Sequence, residues 1–369
     1  MFRRLGTLAM ASLLGGAALS AAASTLGDAA AQLGAGQWTV LNRSGDGAGF
    51  DYKLIESCQP SGCNDTILNY ADKGQWNPNT REIEFLGKGH MAEHKHISYS
   101  EASNRWVTRP RPGWACGVSA NCYGMIHGYE HSAMNPASGD MYARLASSGT
   151  VYKWTRATQS WSQLPNGPSL EVAIAIEYFP EMGGLLMVGT RNGTGEVHLY
   201  RESTGNWTQL AGGLGMGPYH NVASYNPVHK VVVFGGGNGS TQLYKVDSSG
   251  KVGAIAAAPV GVGIMQSVFT VDPASGRHLL FGSGGGFYEY DVAGNRWSTL
   301  SSAGVPLFRT NDSNRIWMRV AVPVSTHGVV AFLSEEGANT RVLLYRHAAS
   351  VAAPADTTPP AAPSGLTIR

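Results

Sequence analysis

Residues 122–145, CYGMIHGYEHSAMNPASGDMYARL, bring His127, Tyr129, Glu130, His131 and Arg144 together in one short stretch. A neutral imidazole accepts a proton, a phenol returns one, and a guanidinium neutralises an anion. Those three functions are what elimination beside a carboxylate requires: a base, an acid for the leaving oxygen, and a cation on the acidic group. On this reading His131, and after it His220, is the base. Tyr129 is the proton donor, and Arg144 or Arg191 neutralises the acid. His127, Glu130, Asn192, Asn221 and Gln266 are candidate substrate contacts. His90, His94 and His96 form a separate cluster with the spacing to hold a divalent metal ion.

Whether these side chains meet depends on the elements that carry them, and those recur. Proline turns appear in WNPNTREIEF, MNPASGDMYA, YFPEMGGLLMV, YNPVHKVVVF and VDPASGRHLLF. Pro136, Pro180, Pro227 and Pro273 follow one another at 44, 47 and 46 residues, and Pro78 precedes them by a longer interval. A second mark keeps step with the first. An aromatic residue is followed seven positions later by tryptophan in Tyr99/Trp106, Trp154/Trp161, Tyr200/Trp207 and Tyr290/Trp297. Each unit therefore reads as four short strands in roughly 40–50 residues, the size of one propeller blade. Charged residues make up only 14% of the chain, and there are 48 glycines and 18 prolines. That composition suits tight turns between strands and gives no long helical period.

The glycine-rich strand ends VVVFGGG and LLFGSGGG, with the aromatic and tryptophan that follow, resemble the kelch repeat and the propeller of galactose oxidase. The resemblance spans residues 36–348 and implies an all-β propeller of six four-stranded blades. Seven is the alternative if GFDYKLIES contributes to another blade. The last unit, ending in RVLLYRH, lacks its tryptophan strand, whereas GQWTVL near the other end carries Trp38 in the missing spacing. Pairing the two would close the ring and remove an open sheet edge.

With the blades aligned on their prolines, His131 falls where other blades have Ala175, Val222 and Val268. Tyr129 falls with Ala173, His220 and Gln266, and Glu130 with Ile174, Asn221 and Ser267. Polar groups in place of small residues at one rim define the candidate site. The plainer alternative is that channel histidines bond a neighbouring blade or an ordered water, and that Arg191 pairs with Glu196. Ulvan and oligogalacturonate lyases of the propeller type are similar in general plan, which implies a lyase acting on uronic-acid glycans. A non-catalytic glycan-binding or protein-interaction propeller is the other reading. A copper radical enzyme like galactose oxidase would need a free cysteine joined to tyrosine, and the cysteines here fall in local pairs.

The chain's ends suggest where it works. Arg3 and Arg4, the apolar run Leu5–Leu19 and the SAAAS site read as a signal peptide over residues 1–23, so the mature protein is expected to be secreted, extracellular or periplasmic, with no membrane span. Its removal takes the basic count from 27 to 25, equal to the acidic count of 25. A neutral surface argues against nucleic acid and leaves a polysaccharide or oligosaccharide as the expected partner of a monomer. In an exported chain Cys58 with Cys63, and Cys116 with Cys122, read as two local disulfides, with zinc as the rival. Residues 349–362 form a Pro/Ala/Thr linker, and 363–369 resemble the start of a fibronectin type III module.

Overall fold

The computed structural model describes residues 25–56, 65–89, 94–110, 112, 127–145, 148–309, 315–336 and 339–348. Their strands form six sheets of four antiparallel strands arranged as a β-propeller. The first blade is Gln75–Asn77, Glu82–Lys88, His94–Ser100 and Arg105–Arg109; the second is Ser132–Met134, Met141–Arg144, Val151–Thr155 and Ser160–Gln163. The third, fourth and fifth blades begin with Ala175–Phe179, Asn221–Asn226 and Ser267–Val271. The sixth is Arg319–Val324, Val329–Glu336 and Asn339–Arg346, completed by Gln37–Arg43. Residues Tyr52–Ile55 of GFDYKLIES form a single helical turn and add no seventh blade.

Closure follows the aromatic pattern. Trp38 lies opposite Tyr345, their rings stacked with centroids 4.3 Å apart. The same cross-strand pairing joins Tyr99 to Trp106, Trp154 to Trp161, Tyr200 to Trp207 and Tyr290 to Trp297. The seven-residue spacing is thus a hairpin whose tight turn sets two aromatic residues opposite each other. In Tyr99/Trp106, Tyr200/Trp207 and Tyr290/Trp297 the rings pack tilted with centroids 5.1–5.5 Å apart, a contact that stabilises the pair beyond its buried area. The fourth blade departs from the pattern, with Tyr244 opposite Ala254.

The proline turn has an equally local cause. Asn77 Oδ1 accepts from the Asn79 amide at 3.0 Å, Asn135 Oδ1 from Ala137 at 2.9 Å and Asn226 Oδ1 from Val228 at 3.1 Å. Each is an Asx turn around a proline whose missing N–H is not needed there. Second strands such as Val231–Gly236 are buried along their whole length, sandwiched between neighbouring sheets, and so read as unbroken apolar runs. Fourth strands such as Arg296–Leu300 lie on the outside, with no residue fully buried. The innermost strands run side by side down a central channel, from an upper face at their start to a lower face at the proline turns.

Candidate functional site

At the upper mouth of the channel, five of the six innermost strands are preceded or opened by a large residue in the left-handed region. Their φ angles are 52° at Tyr70, 43° at Tyr129, 59° at His220, 75° at Met265 and 57° at Met318. Such a conformation costs a non-glycine residue on the order of 1–3 kcal/mol and persists where surrounding structure enforces it. Here it brings large side chains together at the axis. The Tyr70 ring lies 6.2 Å from that of His220, in the blade across the channel, and 5.7 Å from Trp317. His127 packs against Tyr70 at 4.4 Å and against Tyr129 at 5.2 Å, and Tyr129 stands 6.0 Å from His220. Rings from the first, second, fourth and sixth blades therefore stopper the mouth.

A groove adjoins this cluster. His220 Nδ1 lies 3.0 Å from Asn238 Oδ1, and the next residue, Gly239, belongs to the wall of an open groove of about 520 Å³. The other walls are largely glycine, from Gly261 and the GSGGG segment, with Val260, Gln266 and Tyr288. Gln266 Oε1 is buried there without a hydrogen-bond donor. Burial holds His220 below the usual histidine range, and it pushes Tyr129 up to about 12. At neutral pH the pair is thus an uncharged imidazole beside an intact phenol.

Beneath the rings lies a buried charge network. Lys73 Nζ, from the first blade, reaches Glu130 of the second at 2.7 Å and Glu177 of the third at 3.3 Å. It also donates to the carbonyls of Ile176 at 2.6 Å and Ala223 at 3.3 Å. Asp72 sits against Glu130 with neither oxygen in a well-formed hydrogen bond to a donor. Burial, and after it the Glu130 charge, holds the Asp72 carboxyl well above the usual carboxylate range, which favours its protonated form.

The sign of its pH dependence follows. A carboxyl whose folded pKa is raised stabilises the fold fully below the unfolded value of 3.8 and loses that contribution as pH rises through the folded value. Asp72→Asn should therefore melt higher than the parent at neutral pH, by a margin that shrinks toward acid. Thermal melts across pH check this; a variant less stable than the parent at pH 7 would show that the carboxyl is a net asset.

The remaining residues singled out from the sequence lie elsewhere. His131 and Arg144 do meet, at 3.1 Å, but both are fully buried inside the second blade. Arg144 donates to the carbonyls of Val172 at 2.8 Å and of Leu170 and Glu171 at 3.1 Å. Burial lowers Arg144 to about 9 and, with the nearby Arg144 charge, holds His131 well below the usual histidine range. The pair clasps the loop that leads into the third blade. Arg191 is exposed on a hairpin and lies 3.3 Å from Glu196, with Asn192 in the turn itself at a φ of 51°. Asn221 is buried and donates to Gly217 and Gly236 carbonyls at 3.0 and 3.1 Å. His94 and His96 are buried in the first blade, where His96 Nε2 lies 2.6 Å from Glu84. Among the described residues no cluster of histidine, cysteine and acidic side chains is arranged to hold a metal ion. His90, the four cysteines, the signal segment and the C-terminal linker and module lie outside the described residues.

Sequence reasoning missed Tyr70, Asp72, Lys73, Glu177 and Trp317. A signal existed for two of them: YADKGQWNP, aligned on Pro78, sets Asp72 with Glu130 and Lys73 with His131.

The molecule is a six-bladed β-propeller. No family model matches the chain, and no curated protein matches it in sequence. Among solved structures it is similar to a chain of the nidogen/laminin complex, at 11% identity and a TM-score of 0.49, over 70% of this chain and 86% of that one. Among the described residues no helix is long and apolar enough to cross a membrane.

Proposed function

We propose that this propeller is extracellular and binds polysaccharide or oligosaccharide on its upper face. The observation that carries the reading is the convergence of Tyr70, His127, Tyr129, His220 and Trp317 beside a glycine-walled groove. Flat rings offer apolar faces on which the C–H face of a sugar stacks with little loss of side-chain freedom. Glycine walls let backbone amides and carbonyls approach the hydroxyls, and the orphaned Gln266 Oε1 needs a donor of the kind a hydroxyl supplies.

One observation favours a catalytic version of the same reading. His220 is neutral and Tyr129 keeps its proton, so the imidazole can take the proton beside a uronate carboxylate while the phenol protonates the departing glycosidic oxygen. The products are a new reducing end and an unsaturated sugar. His131, Arg144 and Arg191, first assigned to that chemistry, are held by the contacts described above, so His220 and Tyr129 carry it.

Titration calorimetry with neutral and uronic-acid oligosaccharides tests both versions, with absorbance of the unsaturated product followed in parallel. Binding is expected to weaken at least about tenfold in Tyr70→Ala and in Trp317→Ala, the loss typical of one anchoring aromatic, with melting curves recorded on the same samples. Absence of binding to every glycan by a folded parent protein sinks the proposal. Binding without product retires the catalytic version alone.

A further inference from the structure

The lower end of the channel is an open cavity of about 320 Å³, within the size range of small-molecule sites. Its walls are the ends of the innermost strands and their proline turns, with Trp76, Tyr178, Tyr225 and Phe269 among them; Lys73 and Glu177 also line it. Lys73 cannot serve a ligand as donor. An ammonium has three N–H groups, and four acceptors already surround this one. Glu177 can. Its Oε1 accepts from the Tyr178 amide at 3.0 Å and its Oε2 shares Lys73, whereas a carboxylate offers about four acceptor positions. Burial pushes the Glu177 carboxyl up while the Lys73 charge pulls it down, and it shares that single ammonium with Glu130, so a second cation at Glu177 would offset the cost of its burial. The wall adds an orphan, since Trp76 Nε1 is buried without an acceptor.

We propose that this cavity binds a small organic cation, a primary ammonium on an apolar body. The ammonium sits on the free acceptor positions of Glu177, as a second cation for the two carboxyl groups that share Lys73. The apolar body lies among the aromatic side chains and prolines, where ring faces also attract cations. A polar acceptor on the ligand would satisfy Trp76 Nε1. This site is at the opposite end of the channel from the proposed glycan surface and does not depend on it.

Three probes of one shape separate charge from burial: benzylamine, benzyl alcohol and benzoate, titrated calorimetrically into the full-length protein at pH 7. Benzylamine is expected to bind, benzyl alcohol at least about tenfold more weakly, and benzoate not at all. Glu177→Gln should remove at least about tenfold of the amine's affinity. Ser325→Trp, at the exposed rim of the cavity, should block entry without touching the network. Equal affinity for benzoate, or no binding of benzylamine at millimolar concentration, overturns the proposal. So does undiminished amine binding in Ser325→Trp, which decides the matter if Glu177→Gln fails to fold.

Discussion

Lys73→Met is expected to cost the fold about 3–5 kcal/mol at neutral pH, the penalty for removing one partner of a buried ion network. The ammonium joins the first blade to the second, third and fourth through Glu130, Glu177 and two carbonyls. Its loss leaves buried carboxyls with no cation between them. Those carboxyls would then have folded pKa values raised above their unfolded ones. Their contribution is therefore retained at low pH and lost as pH rises through the folded values, so the deficit should shrink in acid. Chemical denaturation at two pH values measures this. Replacing Glu130 and Glu177 by glutamine in the same chain should recover much of the loss, because a network removed as a whole costs far less than one broken. A single variant as stable as the parent would show that the network contributes nothing.

Arg144→Met is expected to destabilise by about 2–4 kcal/mol, since the carbonyls of Leu170, Glu171 and Val172 lose their arginine donor and each buried unsatisfied group costs about 1–3 kcal/mol. Deleting a buried cation offsets part of that sum. In a domain of this size the melting temperature should fall by several degrees, at roughly 2–4 °C per kcal/mol. A catalytic arginine behaves in the opposite way: activity disappears and the melting curve stays. An unshifted curve would return Arg144 to the chemistry its surroundings in the sequence suggested.

The contrast between these two residues shows what a sequence can disclose here. The blade repeat was legible because each of its marks is imposed locally, the proline turn by Asn77, Asn135 and Asn226 accepting amides two residues on, the tryptophan spacing by a hairpin that pairs two rings. Ring closure was legible for the same reason, as Trp38 supplies the missing member of a pair. At the site, Tyr129 and His220 stood out because they replace small residues at aligned positions. His131 stood out by the same rule and Arg144 by lying in the same short stretch, yet their partners are carbonyls of residues 170–172, and a carbonyl leaves no mark on the residue type. Tyr70, Lys73 and Trp317 depend on which strand faces them across the axis, a relation that exists only once the ring has formed. The left-handed backbone at Tyr70, Met265 and Met318 carries no compositional sign, because glycine is the residue normally expected there.

Closure by Gln37–Arg43 also sets a clock. That strand is among the earliest parts of the propeller to be synthesised, and its partner strand follows about 300 residues later, a separation that costs on the order of 5 kcal/mol of chain entropy to bring together. Until it docks, Asn339–Arg346 presents an unpaired edge able to recruit another molecule. The period of greatest danger for this protein is therefore the wait before the latch engages. Yield on refolding should depend on dilution and on the speed of that single docking step more than on any improvement in how the finished blades pack.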